Sequence, residues 1–434
     1  MNDTSGAMSF RTCIFLRHSI CLKHTKNQSF PKIGQIFQTM TARTKIIDFF
    51  GLKRSILALL AMVILVGLGE RLAERFLPIY LLALGGGVLS IGLLNGMQNL
   101  LSALYSFPGG YLSDRLGYKK ALIVFNLVAM FGYLIVILFP YWQAVIIGSL
   151  FFLSWSAISL PATMSLVSRA LPQNKRTMGV TMHSLVRRIP MALGPIIGGV
   201  LIELYGEKDG VRIAFAGALL LGLTSLFFQQ VMIEDDVRRT KAEKRPSRLW
   251  RSMAPALRQL LVSDILIRFA EQIPYAFVVV WCIKDNDITP VQFGILTTIE
   301  MATAVLIYIP VAYMADRTTK KPFVVITFLN FTLFPLVLLF SHSFWTMVIA
   351  FIVRGMKEFG EPTRKALIMD LAPEDKKAGM FGLYYLIRDV IVSGAAFAGA
   401  FLWQISPEIN LLAATACGLI GTTYFWIFGK DLKG

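Results

Sequence analysis

Charged side chains interrupt several of the long apolar runs in this chain, and their types and spacing could do chemistry. Glu70 and Glu74 lie four residues apart in the first run, with Arg71 beside them, and residues at this spacing share one face of a helix. A charge at the centre of a bilayer costs about 2.5–3.5 kcal/mol. A carboxylate in such a desolvated place holds its proton more readily than one in water, which is what exchange of a proton for a substrate requires.

The depth of each charge follows from its position in its apolar run. A helix rises about 1.5 Å per residue, so the midplane of a bilayer lies about 10 residues from either end of a span. Among the carboxylates, Glu70, Glu74 and Glu300 are the first candidates for a group that titrates. Arg364 and Lys365 lie nearer a span end, where long side chains are expected to reach the headgroups. The candidates for proton and substrate binding are Glu70, Arg71, Glu74, Arg187, Arg188, Arg268, Glu271, Glu300, Arg354, Lys357, Glu358, Arg388 and Asp389.

A second interpretation of these charges is purely structural. The order Glu70-Arg71 followed by Glu74-Arg75 is also what permanent acid–base pairs between or within helices would show. In that case the charges only hold the helices together. The residue pattern leaves both interpretations open.

The elements that must position these residues are membrane-spanning helices. The chain has 434 residues, of which 55% are hydrophobic and 16% charged, against about 25% charged in a soluble protein. Apolar runs of about 20 residues recur along it, as in a polytopic helical membrane protein. The predicted fold class is an all-α membrane protein with twelve transmembrane helices. The predicted spans cover 55–84, 88–111, 120–139, 142–167, 178–204, 211–233, 256–283, 290–314, 320–340, 344–371, 378–404 and 408–429.

Other classes of function lack their usual residues. The net charge of +17 would suggest nucleic acid as a partner for a soluble chain, but the basic residues here lie in loops between spans. The four cysteines are scattered, which predicts neither a disulfide framework nor a metal site. The sequence has no phosphate-binding loop, zinc spacing, Gly-x-Ser-x-Gly or dinucleotide fingerprint, so an enzyme, a cofactor or a nucleotide-driven pump is not expected.

An internal repeat divides the spans into two sets. Residues 109–120 read Gly-Gly-Tyr-Leu-Ser-Asp-Arg-Leu-Gly-Tyr-Lys-Lys, and residues 310–321 read Pro-Val-Ala-Tyr-Met-Ala-Asp-Arg-Thr-Thr-Lys-Lys. Asp114 and Asp316 are 316 − 114 = 202 positions apart. Arg71-Leu72-Ala73-Glu74 matches Arg268-Phe269-Ala270-Glu271 at an offset of 268 − 71 = 197. Equivalent elements keep their order and direction, which predicts two parallel repeats.

The first of these loops resembles the signature between the second and third spans of the major facilitator superfamily. The resemblance covers about residues 55–429 and implies two pseudo-symmetric six-helix bundles around a central cavity, with spans 3, 6, 9 and 12 outside. It also implies secondary transport by alternating access. We predict that Asp114, Arg115, Asp316 and Arg317 act in gating, through contacts that hold one closed state and break in the other. The alternative is that loop charges only fix topology.

Span five contains a glycine-rich stretch, Gly194-Pro195-Ile196-Ile197-Gly198-Gly199. It resembles the core of the antiporter motif found in drug:proton exporters of the same family, which implies export. Glycines also allow close approach of helices, and a proline kinks a helix. Ordinary packing is therefore the alternative interpretation of Gly194, Pro195, Gly198 and Gly199.

The predicted organisation has four parts: a basic tail over 1–50, a six-helix bundle over 51–233, a linker over 234–256 and a second bundle over 257–434. The tail is poor in acids and is predicted to be disordered; a targeting segment, or a start at Met40, are alternatives. Loops that follow even-numbered spans carry most of the lysines and arginines. The positive-inside rule therefore places both termini and the linker in the cytoplasm, and we expect a bacterial inner membrane.

The sequence predicts a monomeric secondary transporter that exports drugs or small metabolites in exchange for protons. Its expected partners are a small-molecule substrate, protons and the lipid bilayer, without nucleic acid. Two alternatives stay open. Because several candidates are arginine or lysine, the protein could instead import or exchange an organic anion. It could also be a transporter-like sensor that binds a ligand without moving it.

Overall fold

The computed structural model describes residues 54–153, 155, 186–232, 250, 253–315, 319–372 and 377–430. At some helical positions within these ranges, including 106–115, it describes the backbone alone. The described part is helical, and its connections are short turns such as 84–87, 139–141 and 340–343. We refer to described residues up to 232 as the N-terminal half and to those from 253 as the C-terminal half.

The N-terminal half contains six helices, α1 to α6. Helix α6 is interrupted at Gly206, which has a φ of 80°, a backbone conformation that glycine adopts without strain. The two arms of α6 on either side of this glycine correspond to predicted spans five and six. The bounds are α1 Arg54–Glu74, α2 Leu77–Ala83, α3 Val88–Leu116, α4 Tyr118–Leu138, α5 Trp142–Phe152 and α6 Arg188–Met232.

The C-terminal half repeats this order with more interruptions. Predicted span seven begins with α7 and continues through a 3₁₀ turn at Tyr275–Phe277, the short α8 and a π-helical turn at Trp281–Asp285. Predicted span ten is divided into α11 and α12. The bounds are α7 Pro255–Gln272, α8 Val278–Val280, α9 Pro290–Ala315, α10 Lys321–Leu339, α11 Phe344–Met356, α12 Glu361–Leu371, α13 Lys377–Ile405 and α14 Pro407–Phe428.

Seven described helical segments are long and apolar enough to cross a membrane, and one of them is the double-length α6. Large apolar side chains are exposed along α4, the second arm of α6 and α14, for example Phe131, Phe227 and Trp426. In water such a surface would be a liability, but in lipid it is the expected outer face. These helices are the third, sixth and twelfth spans.

Packing within the two halves shows the repeat directly. Gly198 of α6 packs against the backbone of Leu72 in α1, and Gly399 of α13 packs against the backbone of Ile273 just after α7. Both members of the second pair lie 201 positions after those of the first (399 − 198 and 273 − 72). Small residues let helices approach closely in a bilayer, where lipid gives little hydrophobic drive for helix association. At this contact the first and seventh spans correspond at an offset of 201, whereas their charge patterns match at an offset of 197.

Candidate functional site

Two helices break at equivalent places, and the breaks lie against one cavity. The first span turns at Arg75 and Phe76 between α1 and α2, and the seventh turns after Gln272. α1 ends at Glu74 and α7 at Gln272, 272 − 74 = 198 positions apart and three short of the offset of 201. Interrupted helices at matching positions of two repeats are the usual location of a transporter's binding site, because the turn brings polar backbone and side chains to the centre.

The cavity at these breaks lies between the two halves. It is lined by residues of α1, α2 and α3 from one half. From the other half it is lined by the turn after α7 and by α8, α9 and α11. It offers ≈ 30 Å³ to water-sized molecules, which is room for a few waters and too little for a drug-sized solute. The polar or aromatic lining residues are Glu74, Arg75, Asn95, Gln98, Tyr275, Phe293 and Arg354.

On the N-terminal side of the cavity, one carboxylate has two partners. Glu74 accepts the guanidinium of Arg71 at 2.5 Å, and its other oxygen accepts a hydrogen bond from the Gln98 amide at 3.0 Å. Glu70, one turn earlier, is also buried and has a contact of its own. The sequence-predicted candidates Glu70, Arg71 and Glu74 therefore lie together beside the cavity.

Arginines exceed carboxylates in this half. Arg188 bonds across to Glu358 of the other half at 3.0 Å, so these two candidates meet. Arg187 lies within electrostatic range of Arg71 and Arg188 as well as Glu70. Neither Arg75 nor Arg187 makes an ion pair or hydrogen bond with any residue that the structure describes. Arg75 instead lies over the Tyr275 ring, 5.2 Å from its centroid.

On the C-terminal side, acidic and basic side chains alternate in a series of ion pairs. Arg354 approaches Glu300 at 3.4 Å, and Lys357 lies between Glu300 at 3.3 Å and Glu271 at 3.0 Å. Arg268 pairs with Glu271 at 2.5 Å. Glu300 is completely buried, and neither of its oxygens has a hydrogen-bond donor in the described structure. It is held by charge attraction alone.

The same series of ion pairs continues away from the cavity. Arg268 reaches Glu361 at 3.4 Å, and Glu361 receives two hydrogen bonds from Arg364, at 2.9 and 2.6 Å. Arg364 also bonds Asp264, which accepts the Tyr384 hydroxyl at 2.9 Å. Arg364 is 1% exposed, so the expectation that it reaches the headgroups is wrong, because Asp264 and Glu361 satisfy its charge inside the bundle. Lys365 is half exposed, as expected.

The last candidates complete this network. Arg388 lies 3.4 Å from Asp264 and 2.7 Å from Asp389, and its guanidinium covers the ring of Tyr385 at 4.2 Å. Eight of the candidates lie in the C-terminal half, and the structure joins all of them except Glu358 into one network on five helices. The seven are Arg268, Glu271, Glu300, Arg354, Lys357, Arg388 and Asp389.

The glycine-rich stretch packs α6 against two different partners. Gly194 lies against the backbone of Arg71, and Gly198 against that of Leu72. Gly199 lies against the backbone of Pro290 in the other half, and Gly294 of that half lies against Pro195 and Ile196. Within the described structure the stretch therefore has a packing role, and Gly199 takes part in the seam between halves.

A second seam joins the halves through α3 and α13. Gly92 packs against Ala400, and Gly96 against Ser393 and Phe397. Beside it, Asn95 donates to the backbone oxygen of Gln272 at 2.9 Å. Both seams lie toward the end of the molecule formed by turns 84–87, 139–141 and 340–343, which we call the distal end. The halves are therefore in contact on that side of the cavity.

The predicted gating residues fall where little is described. The side chains of Asp114 and Arg115 are not described, and Asp316 and Arg317 lie outside the described residues. Sequence reasoning left several members of the site out of its candidate set, among them Arg75, Asn95, Asp264, Tyr275 and Glu361. The signals for them were the alternation of Glu and Arg in the first span, and the polar residues on its neighbours.

The chain belongs to the Major Facilitator Superfamily, whose family model matches residues 59–283 and 260–431. The uncharacterized MFS-type transporter MJ1317 of Methanocaldococcus jannaschii is 25% identical over 79% of this chain and 87% of its own length. The uncharacterized MFS-type transporter YfkF of Bacillus subtilis is 27% identical over 30% of this chain and 34% of its own length.

Solved transporters share the architecture. The nucleoside transporter NupG superposes with a TM-score of 0.71 at 14% identity, over 86% of this chain and 100% of that chain. A POT family transporter in complex with a thioalcohol-conjugated peptide gives 0.71 at 12% identity, over 85% and 95%. The predicted all-α membrane fold is confirmed, and the protein is a multi-pass membrane transporter and not an enzyme.

Proposed function

We propose that this protein is a proton-coupled secondary transporter that moves a small organic solute between its two halves by alternating access. The observation that carries the proposal is Glu300. It is fully buried, and its charged form depends on two cations within 3.4 Å, Arg354 and Lys357. A carboxylate in that setting can exchange a proton when its cations move.

The connection from Glu300 to the cavity runs through Arg354. This arginine pairs with Glu300 and also lines the cavity. Protonation of Glu300 would release Arg354 toward the cavity and leave Lys357 to Glu271 alone. A proton on Glu300 and a substrate on Arg354 would thus favour each other's binding, and this reciprocal dependence is the thermodynamic linkage that proton coupling needs. Glu70 and Glu74 are further candidates on the opposite wall.

Export of a drug or metabolite is the direction that the glycine-rich stretch supports, through its resemblance to the antiporter motif. The location of Gly199 on the seam between halves adds to that support, because a helix that kinks there would open or close the distal end. We further propose that Asp114, Arg115, Asp316 and Arg317 act at the opposite end as a latch. Both termini would face the cytoplasm of a bacterial cell, with the protein acting as a monomer.

A second candidate function is import or exchange of an organic anion. The specific observation that favours it is Arg75, a cation that lines the cavity without a carboxylate partner among the described residues. This second function uses the same cavity between the halves and differs in the charge of the substrate and the direction of transport.

The test uses the purified full-length chain in liposomes that contain a trapped pH-sensitive dye. Addition of solutes from a panel should move protons in the wild type, and Glu300→Gln should abolish the coupled movement while ligand binding persists. Glu203→Gln is the matched control, since Glu203 is exposed at the distal end. If Glu300→Gln and Glu70→Gln both transport with normal proton coupling, our assignment of the proton site is wrong. Binding without any flux would identify a sensor instead.

A further inference from the structure

One cation at the cavity lacks its counter-charge. Arg75 lines the cavity, and both nearby carboxylates are already engaged: Glu74 by Arg71 and Gln98, and Glu300 by Arg354 and Lys357. A charge in the membrane interior that lacks a partner is costly. Arg75 therefore marks a position where a negative group from outside the chain would be stabilised.

The charged residues around Arg75 also include more cations than carboxylates. On the N-terminal side, four cations face three carboxylates among the described residues. One negative charge is missing from this set. The cations are Arg71, Arg75, Arg187 and Arg188, and the carboxylates are Glu70, Glu74 and Glu358.

An independent observation on the same cavity concerns Asn95. Its side chain is 2% exposed and lines the cavity. Its amide nitrogen donates to the backbone oxygen of Gln272, which can only accept, so the amide orientation is fixed. The remaining oxygen, Oδ1, is buried and has no partner in the described structure. A buried acceptor of this kind calls for a hydrogen-bond donor.

The rest of the wall is apolar. Leu94, Val278 and Phe293 line the cavity, and the ring of Tyr275 lies under Arg75. These surfaces suit a carbon skeleton and cannot compete for the charge of Arg75 or the lone pairs of Asn95. The cavity thus offers one cation, one acceptor and apolar walls.

From these features we infer that the substrate is a small organic monoanion that carries a hydrogen-bond donor on its carbon skeleton, a hydroxycarboxylate being the simplest case. In a state of the transport cycle in which the cavity is wider than the ≈ 30 Å³ of the described structure, Arg75 binds the carboxylate and Asn95 Oδ1 accepts from the hydroxyl. This inference rests on the proposed transport function and names the class of solute that uses it.

Binding is tested by thermal unfolding of the purified full-length chain with lactate and mandelate. The matched probes are propionate and phenylacetate, which lack the hydroxyl, and lactamide and mandelamide, which lack the charge. The hydroxy acids should raise the melting temperature most, the acids without a hydroxyl less, and the amides not at all. The inference is overturned if the amides stabilise the protein as well as the acids do, or if neither hydroxy acid stabilises it at millimolar concentration.

Variants separate the two contacts. Arg75→Gln should weaken hydroxy-acid binding by roughly tenfold to a hundredfold, as expected for loss of a charged hydrogen bond, while Arg75→Lys keeps part of it. Without ligand, Arg75→Gln should melt no lower than the wild type, whereas Arg71→Gln, which breaks a pair with Glu74, should melt lower. Asn95→Leu should remove the preference for lactate over propionate and keep the preference for acid over amide. Wild-type binding by Arg75→Gln would refute the assignment.

Flux measurements distinguish this inference from the proposed function. If hydroxy acids move protons in liposomes and their amides do not, both hold. If only neutral or cationic solutes move protons, the substrate class is wrong and proton-coupled transport stands. If hydroxy acids bind with the expected preferences and no solute of the panel moves protons, the substrate class stands and the coupling is wrong.

Discussion

In the C-terminal half, each of the cations buried in the spans has a carboxylate partner, whereas in the N-terminal half Arg75 and Arg187 have none among the described residues. The C-terminal network is balanced, with five cations and five carboxylates: Arg268, Arg354, Lys357, Arg364 and Arg388 against Asp264, Glu271, Glu300, Glu361 and Asp389. Two repeats of one ancestral fold therefore differ in how they handle charge.

The difference suggests a division of labour between the halves. A balanced network ties its helices together and resists change, because removing any member leaves a buried charge. A half with surplus positive charge depends on something outside itself, namely Glu358 of its neighbour or a bound anion. We expect substitutions in the first group to affect stability, and at Glu300 and Arg354, which lie nearest the cavity, proton coupling as well. Substitutions in the second group should affect binding and the position of the halves.

The largest effect is expected where the balanced network is densest. Asp264→Asn removes the carboxylate shared by Arg364, Arg388 and Tyr384, and we expect a loss of about 3–5 kcal/mol because two buried cations each lose one of their carboxylate partners. The measurement is the thermal unfolding midpoint in detergent. The control is Asp209→Asn, whose side chain is 71% exposed and 3.7 Å from Arg212. If Asp264→Asn unfolds at the same temperature as the wild type, the ion pairs do not stabilise the C-terminal half.

Glycines on the seams give the next effect. Gly199→Ala would place a methyl group against the backbone of Pro290, which cannot move aside as a side chain can. We expect the distal end to open, so that a cysteine introduced at Leu94 in a background without native cysteines reacts at least several-fold faster with a maleimide. Gly394→Ala is the control, since a methyl group there meets nothing within 4 Å. Equal labelling rates in the two variants would contradict the seam.

The ion pair between halves should have a moderate effect. Arg188 and Glu358 are partly buried, with 16% and 23% of their side chains exposed. A double-mutant cycle with Arg188→Gln and Glu358→Gln should give a coupling energy on the order of 1 kcal/mol, between the values for exposed and fully buried pairs. Thermal unfolding supplies the four midpoints. A coupling energy of zero would show that Glu358 does not offset the surplus positive charge of the N-terminal half.

The smallest effect is expected at the distal surface. Lys284 and Glu207 join the halves at 2.5 Å, but the lysine is 40% exposed. Lys284→Ala should change stability by no more than about 1 kcal/mol, and added salt should reduce the difference, because exposed charges are screened. Unfolding midpoints at low and high salt measure this. A large, salt-independent loss would show that the halves are held together here and not at the glycine seams.

Much of the fold could be predicted from the sequence, because hydropathy is a property of consecutive residues. The spans at 88–111 and 408–429, for example, match α3 and α14 closely. The charged candidates were also found, since any ionisable residue inside an apolar run stands out. The ion-pair partners of these residues could not be predicted. Arg364 was expected at the headgroups and is buried, because its distance from a span end says nothing about the carboxylates on neighbouring helices.

The sequence by itself determined that the chain is a duplicated membrane protein of a transporter family, and which charges lie within its spans. Only the tertiary structure decided which charges meet. That decision depends on how each helix is rotated and where it breaks, and neither is encoded in a local apolar pattern. The breaks after Glu74 and Gln272 place Arg75, Asn95, Tyr275 and Arg354 around one cavity, although these residues come from four separate spans.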